Sequence, residues 1–336
     1  MKLGTFILMR LLLTIPMILI LVTVVFGIMR ILPGDPVAAL MGSKGGSEQQ
    51  IALLRHQLGL DKPLYLQYLD YIGGLLTGNL GYSMVRQDPV TTELAIAIPA
   101  TIELTFWSML LAIPLGIYSG VFAAKKGGKI DASIRIGALI RWCIPIFWFG
   151  LILQILVVQF NLPLPIAGQA SSRIFSVPHV TGLYVVDAIL AQDPQALLDA
   201  FTHLLLPVLT LGTTMAASIT QISRTSVVDV LGEEYIKIAS LKGLTDEQVF
   251  QKHALRNALI PILTYTGLQV AILLTGAILT ETVFSWPGLG RLLIDAVGYR
   301  DFNLIQGCIV LFAIVVSIAN LIVDISYAIV DPRVRF

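Results

Sequence analysis

The chain has 336 residues, of which 56% are hydrophobic and only 13% charged. Soluble domains are about 45–50% apolar and about 25% charged, so this composition excludes both a soluble single domain and a disordered chain. Net charge is +1, from 22 Lys and Arg against 21 Asp and Glu, which leaves no bulk basic field to hold nucleic acid. A mean hydropathy of +0.84 points to lipid as the solvent. Cys143 and Cys308 both lie in apolar runs, so neither a disulfide framework nor a thiolate metal cluster is expected.

A spanning helix needs about 20 mostly apolar residues. Six stretches qualify: Leu11–Met29, Leu104–Ala124, Trp142–Phe160, Leu204–Ser223, Ala258–Thr280 and Phe302–Val323. The first is longer than a signal-peptide core of about 7–15 residues and no small-x-small cleavage site follows it, so it reads as an uncleaved span. Ile174–Val186 is too short, carries Pro178, His179 and Gly182, and reads as a loop or surface-lying element. Lys125, Lys126, Lys129 and Arg135 follow span two; Arg224, Lys237, Lys242, Lys252 and Arg256 follow span four; Arg333 and Arg335 lie in the tail. By the positive-inside rule both termini are cytoplasmic. The fold expected is all-α, with six transmembrane helices in one permease-like domain over residues 1–336.

Three segments lie outside the lipid in this reading. The first external loop, residues 33–102, opens on Pro33-Gly34-Asp35-Pro36, where two prolines forbid helix continuation. Ser47-Glu48-Gln49-Gln50 has capping-box spacing ahead of an apolar-periodic run to Leu58, with Gly59 as its terminator. Pro63 then precedes Leu64, Tyr68 and Ile72 at helical spacing, so two short amphipathic helices are predicted. The second external loop, residues 161–203, has Asp187, Asp193 and Asp199 against one basic residue; these acids either face a cationic partner or are simply solvated.

The cytoplasmic segment, residues 224–257, has more punctuation. Glu233 and Glu234 suit the positive end of a helix dipole, and Tyr235, Ile238, Ala239 and Lys242 follow at helical spacing. Gly243 breaks the run as a left-handed terminator, and Thr245-Asp246-Glu247-Gln248 is a second capping-box pattern. Helix–turn–helix shapes also bind DNA, but both ends of this one run directly into spans and its charges alternate in sign, which favours a protein partner.

The segments Glu234-Tyr235-Ile236-Lys237-Ile238-Ala239-Ser240-Leu241-Lys242-Gly243-Leu244 and His253-Ala254-Leu255-Arg256-Asn257-Ala258-Leu259-Ile260-Pro261 resemble the permeases of ABC importers of the oligopeptide, dipeptide and nickel type. The resemblance continues through Pro33–Pro36, Leu58–Asp61, Gly78–Gly81, Glu281–Gly290, Asn320–Asp324 and Asp331–Arg333, and is greatest to dipeptide permeases. It implies a type I importer permease with two extended external loops and a cytoplasmic coupling helix. It implies that Glu234, Lys237, Ala239, Gly243, Leu244, His253 and Arg256 serve coupling to an ATPase, and that Trp286, Pro287, Gly288 and Gly290 shape the external mouth. The implied partners are a homologous second permease, two ATPase subunits that bind ATP and Mg, an external substrate-binding protein and membrane lipid, with no nucleic acid. The implied cargo is a di- or oligopeptide or a nickel chelate, moved through the inner (plasma) membrane. Ile238-Ala239-Ser240-Leu241-Lys242-Gly243 departs from the family's usual Thr-Ala-Arg-Ala-Lys-Gly, and Gln221 stands where relatives often have arginine.

His56, His179, His203 and His253 are scattered, and no HExxH, GxSxG or P-loop pattern occurs. The chain is therefore expected to be a transport subunit without an ATPase site, catalytic residues, a metal or a cofactor of its own. An ion-gradient-driven secondary transporter is the alternative; it calls for mid-membrane acids and inverted repeats. An intramembrane hydrolase would need a nucleophile–base pair. Arg141, Glu281 and Asp324 are the charges at span edges: Arg141 is expected to snorkel, and Glu281 and Asp324 to sit at cheap helix ends. Trp286 reads as an interfacial anchor with turn chemistry around it. Pro114, Pro145, Pro207, Gly116, Gly120, Gly150 and Gly212 are either hinges or close helix contacts.

Overall fold

A computed structural model describes residues 3–31, 47–57, 59–171, 177–178 and 180–330. Pro33–Pro36, Leu58, Arg173, His179, Asp331–Arg333 and Arg335 lie outside the described residues, as does the side chain of Asp324. The described chain runs α1 (Leu3–Ile31), α2 (Glu48–Gln57), α3 (Leu64–Leu76), α4 (Val90–Lys126), α5 (Gly128–Cys143), α6 (Ile146–Gln159), α7 (Tyr184–Leu190), α8 (Pro194–Gly232), α9 (Glu234–Leu241), α10 (Arg256–Val283), α11 (Leu289–Tyr299) and α12 (Phe302–Val330). A single turn, Asp246–Gln248, and a π-helical stretch, Val249–Leu255, join α9 to α10.

Among the described residues, α1, α4, α8 and α12 each hold a stretch long and apolar enough to cross a membrane; α5 and α6 add a fifth if the bent pair crosses as one. The remaining expected span, Ala258–Thr280, lies within the 28 residues of α10. The two loop helices form where expected: Ser47 and Gln50 exchange reciprocal capping bonds ahead of α2, Gly59 turns at φ 64°, and Pro63 immediately precedes α3.

Three expected boundaries shift. Helix α4 begins at Val90, well before Leu104, and α8 begins at Pro194, before Leu204. The added N-terminal residues carry Glu93, Glu103 and Asp199, which an apolar window excludes and which the fold satisfies with hydrogen bonds. The expected span Trp142–Phe160 is interrupted: α5 already occupies the basic segment after span two, and the chain turns by 98° at Pro145 before α6. Proline forbids continuation there because it lacks the amide donor and clashes with the preceding turn.

The centre of the fold is the α4–α8 contact, the most extensive between any two elements. On α4 the buried positions Ala112, Gly116, Gly120 and Ala123 form a small-residue stripe. A Cβ on Gly120 would lie 2.4 Å from the Thr220 carbonyl oxygen, and one on Gly116 would lie 2.6 Å from the Ile219 Cβ. From the other side, a Cβ on Gly212 would lie 2.9 Å from Leu111 Cδ2 and 3.1 Å from the Ser108 carbonyl. These glycines therefore serve close backbone approach. In lipid, where apolar area gives no advantage to helix association, such packing and interhelical hydrogen bonds supply the attraction. Ser119 and Thr220 hydroxyls bond across the seam at 2.6 Å. Helix α10 joins α8 through Gln269 Nε2, which donates to Ser218 Oγ at 2.6 Å.

Arg141 does not snorkel. Its guanidinium turns onto α8, donating to Thr213 Oγ1 at 2.8 Å, to the Thr210 carbonyl at 2.7 Å and to Thr214 Oγ1, while stacking 4.0 Å from the Phe149 ring centroid. It clamps the α5–α6 bend to α8.

The seam gives a direct test. Gly120→Ile should lower thermal stability in detergent by about 1–3 kcal/mol or prevent folding, because carbonyl backbone cannot yield as a side chain would. Gly137→Ala on α5, where the added Cβ meets nothing within 4 Å, should be neutral or slightly stabilising.

Candidate functional site: a helical elbow between α8 and α10, and a carboxyl-centred cradle at the other end

The segment between α8 and α10 forms a small core of its own. Ile236 and Ala239 of α9 face inward onto Val227, Val249, Phe250, Ala254, Ala258 and Ile262. The periodicity continues on the outer side: Tyr235 is 39%, Ile238 51% and Leu241 85% exposed. These positions recur at i, i+3 and i+6, so one apolar stripe of α9 is left uncovered. Of the residues singled out in the sequence, Glu234 opens the helix and is exposed, as are Lys237 and Arg256, while Ala239 is buried and Leu244 packs partly against the small core. His253 is half-buried, and its carbonyl accepts from Asn257 Nδ2 at 3.0 Å.

Gly243 ends α9 with φ +81°, and an added Cβ there would meet nothing within 4 Å. The requirement for glycine is thus conformational and not steric. The Thr245–Gln248 capping box is complete, with Gln248 N donating to Thr245 Oγ1 and Thr245 N to Gln248 Oε1. The following π-helix widens the backbone just before α10; such bulges recur at functional positions.

Sequence reasoning missed the tie between this elbow and α4. Lys125, in the last turn of α4, bonds Glu247 at 2.7 Å and sits 5.0 Å from the Phe250 ring centroid. The Lys125 ammonium, helped by the Gln251 amide, holds the Glu247 carboxyl below its ordinary value. The partners are 122 residues apart, so no local pattern carries the signal. Ile117, Val121 and Ala124 of α4 pack on the same small core. The elbow is therefore gripped by α4, α8 and α10 together.

The second cluster surrounds Glu281 at the far end of α10. Glu281 is fully buried and accepts from Thr101 Oγ1 at 2.6 Å, Gly290 N at 2.7 Å and Arg291 N at 3.2 Å. The last two are orphan amides of the first turn of α11, where an acceptor is favoured by both hydrogen bonding and the helix dipole. Thr101 Oγ1 in turn accepts from Leu289 N at 2.8 Å. Gly288 and Gly290 leave the space: a Cβ on Gly288 would lie 2.3 Å from Glu281 Oε1, and one on Gly290 2.4 Å from Ile278 Cα. Trp286 is wholly buried and donates from Nε1 to the Ala100 carbonyl at 2.8 Å. It is a core residue rather than an interfacial anchor, while Pro287 is exposed.

Further acids fasten this end. Glu103 accepts from Val185 N at 2.7 Å and Gln169 Nε2 at 2.8 Å. Asp187 accepts from Thr181 N, Thr181 Oγ1 and Gly182 N, Asp301 from Ser83 Oγ and Val85 N, and Asp199 from Ser171. Asp193 caps α8. The acids of the second loop accept hydrogen bonds from the loop's own amides and hydroxyls, and Asp199 also lies 3.4 Å from His203 Nδ1.

The sequence carries the same assignment. A profile of the family described as the inner membrane component of binding-protein-dependent transport systems matches residues 112–336. The chain belongs to this family. A second profile, for the N-terminal part of such membrane components, matches residues 3–105. Among curated relatives, the di/tripeptide transport system permease of Pseudomonas aeruginosa is 43% identical over 335 residues, 98% of each chain. The dipeptide transport system permease of Escherichia coli strain K12 is 44% identical over 335 residues, again 98% of each. The glutathione transport system permease of Salmonella typhi is 39% identical over 331 residues, 98% of this chain and 99% of its own. The permease is thus a multi-pass membrane protein of the type I ABC transport class, mostly helical and with no strand among its described residues.

The cradle makes a quantitative prediction for this permease. Glu281→Ala leaves three donors without their acceptor inside the protein and should destabilise it by about 3 kcal/mol or more, with Glu281→Gln intermediate because one oxygen remains. Thermal unfolding in detergent measures the order.

Proposed function

We propose that this chain is the membrane permease subunit of an ATP-driven importer of di- and oligopeptides, with nickel chelates as a second cargo class. The observation that carries the reading is the elbow: a short helix with an uncovered apolar stripe, held rigidly between α8 and α10 and tied to α4. The relatives' names, all peptide or glutathione transport permeases, support the cargo. In this reading the elbow faces the cytoplasm, where the basic residues of the short connections also lie, and both termini are cytoplasmic. The stripe of Tyr235, Ile238 and Leu241 seats in a groove on one of two ATPase subunits, which bind ATP and Mg on their own chains. Glu234, Lys237 and Arg256 flank the contact. A homologous permease completes the pathway, and an external binding protein delivers cargo to the end built around Trp286 and Glu281.

Energy enters as differential docking. Moving a two-state equilibrium from 1:99 to 99:1 needs about 5.5 kcal/mol of preference for one state. An elbow that flexed under load would dissipate that preference locally. The small core around Phe250 and the Lys125–Glu247 pair oppose such flexing, and Gly243 lets the chain take the left-handed turn between them.

Among the described residues, the acids give an ion-driven mechanism no support. Glu103, Glu281 and Asp301 each hold amides or hydroxyls at the end away from the elbow, and none forms a chain through the middle of the bundle.

Gly243 provides the test, because its positive φ can be challenged without a clash. Gly243→Val should leave the complex assembled and ATP hydrolysis present but largely abolish peptide uptake, since a β-branched residue resists positive φ. Gly243→Asn, which tolerates the left-handed region, should retain most uptake. Both are measured in proteoliposomes reconstituted with the co-purifying ATPases and second permease. Normal uptake by the valine variant removes the proposed role of the turn, and uptake by the chain alone that an uncoupler abolishes overturns ATP-driven import.

A further inference from the structure

A cavity of about 500 Å³ opens between α5 and the last third of α8, near the elbow end of α4. Its charged lining is Arg135 of α5 and Arg224 of α8. Arg224 is committed: it forks onto Asp131, Nε to Oδ1 at 3.0 Å and Nη2 to Oδ2 at 2.8 Å. Arg135, one turn beyond Asp131, is exposed and makes no hydrogen bond or ion pair with any described residue. The cavity thus holds one guanidinium with its donors free of described partners, at longer range from the Asp131 carboxylate, beside one that is paired, with Gln221 and Thr225 adding polar groups to the wall.

The surroundings identify the ligand class. From the cavity an apolar ridge runs along α5, with Ile136 54%, Leu139 51% and Ile140 57% exposed. A guanidinium continuous with an uncovered apolar ridge matches an amphiphile whose anionic head joins an acyl chain. The depth agrees. Helix α8 has 39 residues, about 58 Å at about 1.5 Å per residue, longer than a bilayer of about 40–45 Å with its headgroups. The wall residues Thr220 and Thr225 lie 12 and 7 residues before Gly232, about 10–18 Å from the elbow end of α8. That is headgroup depth on the elbow side, with Lys125 and Lys126 at the neighbouring end of α4. Basic pockets between spans on the cytoplasmic side suit anionic headgroups.

We infer that the α5–α8 cavity is a binding site for one anionic phospholipid, its phosphate on Arg135 and one acyl chain along Ile136, Leu139 and Ile140. The depth argument rests on the orientation proposed above; the charge and the ridge do not. A lipid wedged there would brace α5 against α8, close to the elbow.

The test uses the full chain purified with its co-purifying subunits in mild detergent. Binding of phosphatidylglycerol and of phosphatidylcholine with the same acyl chains is titrated by native mass spectrometry. Phosphatidylglycerol should be preferred, and Arg135→Gln should weaken its binding about fivefold while weakening phosphatidylcholine, whose choline already offsets its phosphate, distinctly less, so that the preference shrinks. Arg135→Lys, which keeps the charge, should keep the preference, and all three proteins should melt at the same temperature without added lipid. Equal affinity for the two lipids, or an unchanged preference in Arg135→Gln, overturns the assignment. Displacement of phosphatidylglycerol by inorganic phosphate would show a bare anion site, and displacement by alanyl-alanine would show part of the cargo path; either result also overturns it. None of these outcomes bears on whether uptake is ATP-driven.

Discussion

The approach of α4 to α8 is the constraint on which the rest depends. Gly116 and Gly120 bring the two backbones to a separation that no side chain permits, and Gly212 does the same from the other helix. Because both helices run on past the apolar depth, this one seam positions features at both ends. At one end it places Lys125 beside Glu247 and Phe250. At the other it places Ala100, Thr101 and Glu103 where Trp286, Glu281 and the second loop close over them.

The two ends are built on different physics. The elbow is held by an apolar core, one surface ion pair and a glycine turn, which are interactions of modest strength that leave an apolar stripe free for a partner. The opposite end is held by buried carboxyl groups that each accept several hydrogen bonds. Removing a bond there strands a donor away from water, so that end resists partial opening. A rigid far end and a grippable near end suit a helix bundle that is moved by a push from one side.

Much of this was legible in the sequence, and the failures have causes. The capping boxes at Ser47 and Thr245, the turn at Gly243 and the two short helices α2 and α3 form as local chemistry dictates, because each depends on residues within one turn. The starts of α4 and α8 lie before the apolar windows because Glu103, Asp199 and His203 interrupt the apolar pattern; Glu103 is satisfied by Val185 and Gln169, far along the chain, and Asp199 by Ser171 of the second loop. The basic segment after α4 concealed α5, whose Asp131 is matched by Arg224 on α8. Trp286 looked like a surface anchor because nothing local shows that Ala100 offers it a carbonyl. The uncovered stripe of α9 was hidden by the same limit: periodicity gave a helix, but not which face Phe250 would cover.

The proposed grip on the elbow requires α4, α8 and the elbow to move together as one body. Spin labels at Tyr118 on α4, 72% exposed, and at Lys252 beside the elbow test this directly, after replacing Cys143 and Cys308. The distance distribution between them is measured by pulsed electron resonance in the assembled transporter, without nucleotide and with ATP trapped. The account predicts that the distribution keeps the same centre and width in both states while uptake activity is retained. A shift or broadening on ATP binding would show that the elbow moves against α4, and would contradict the account.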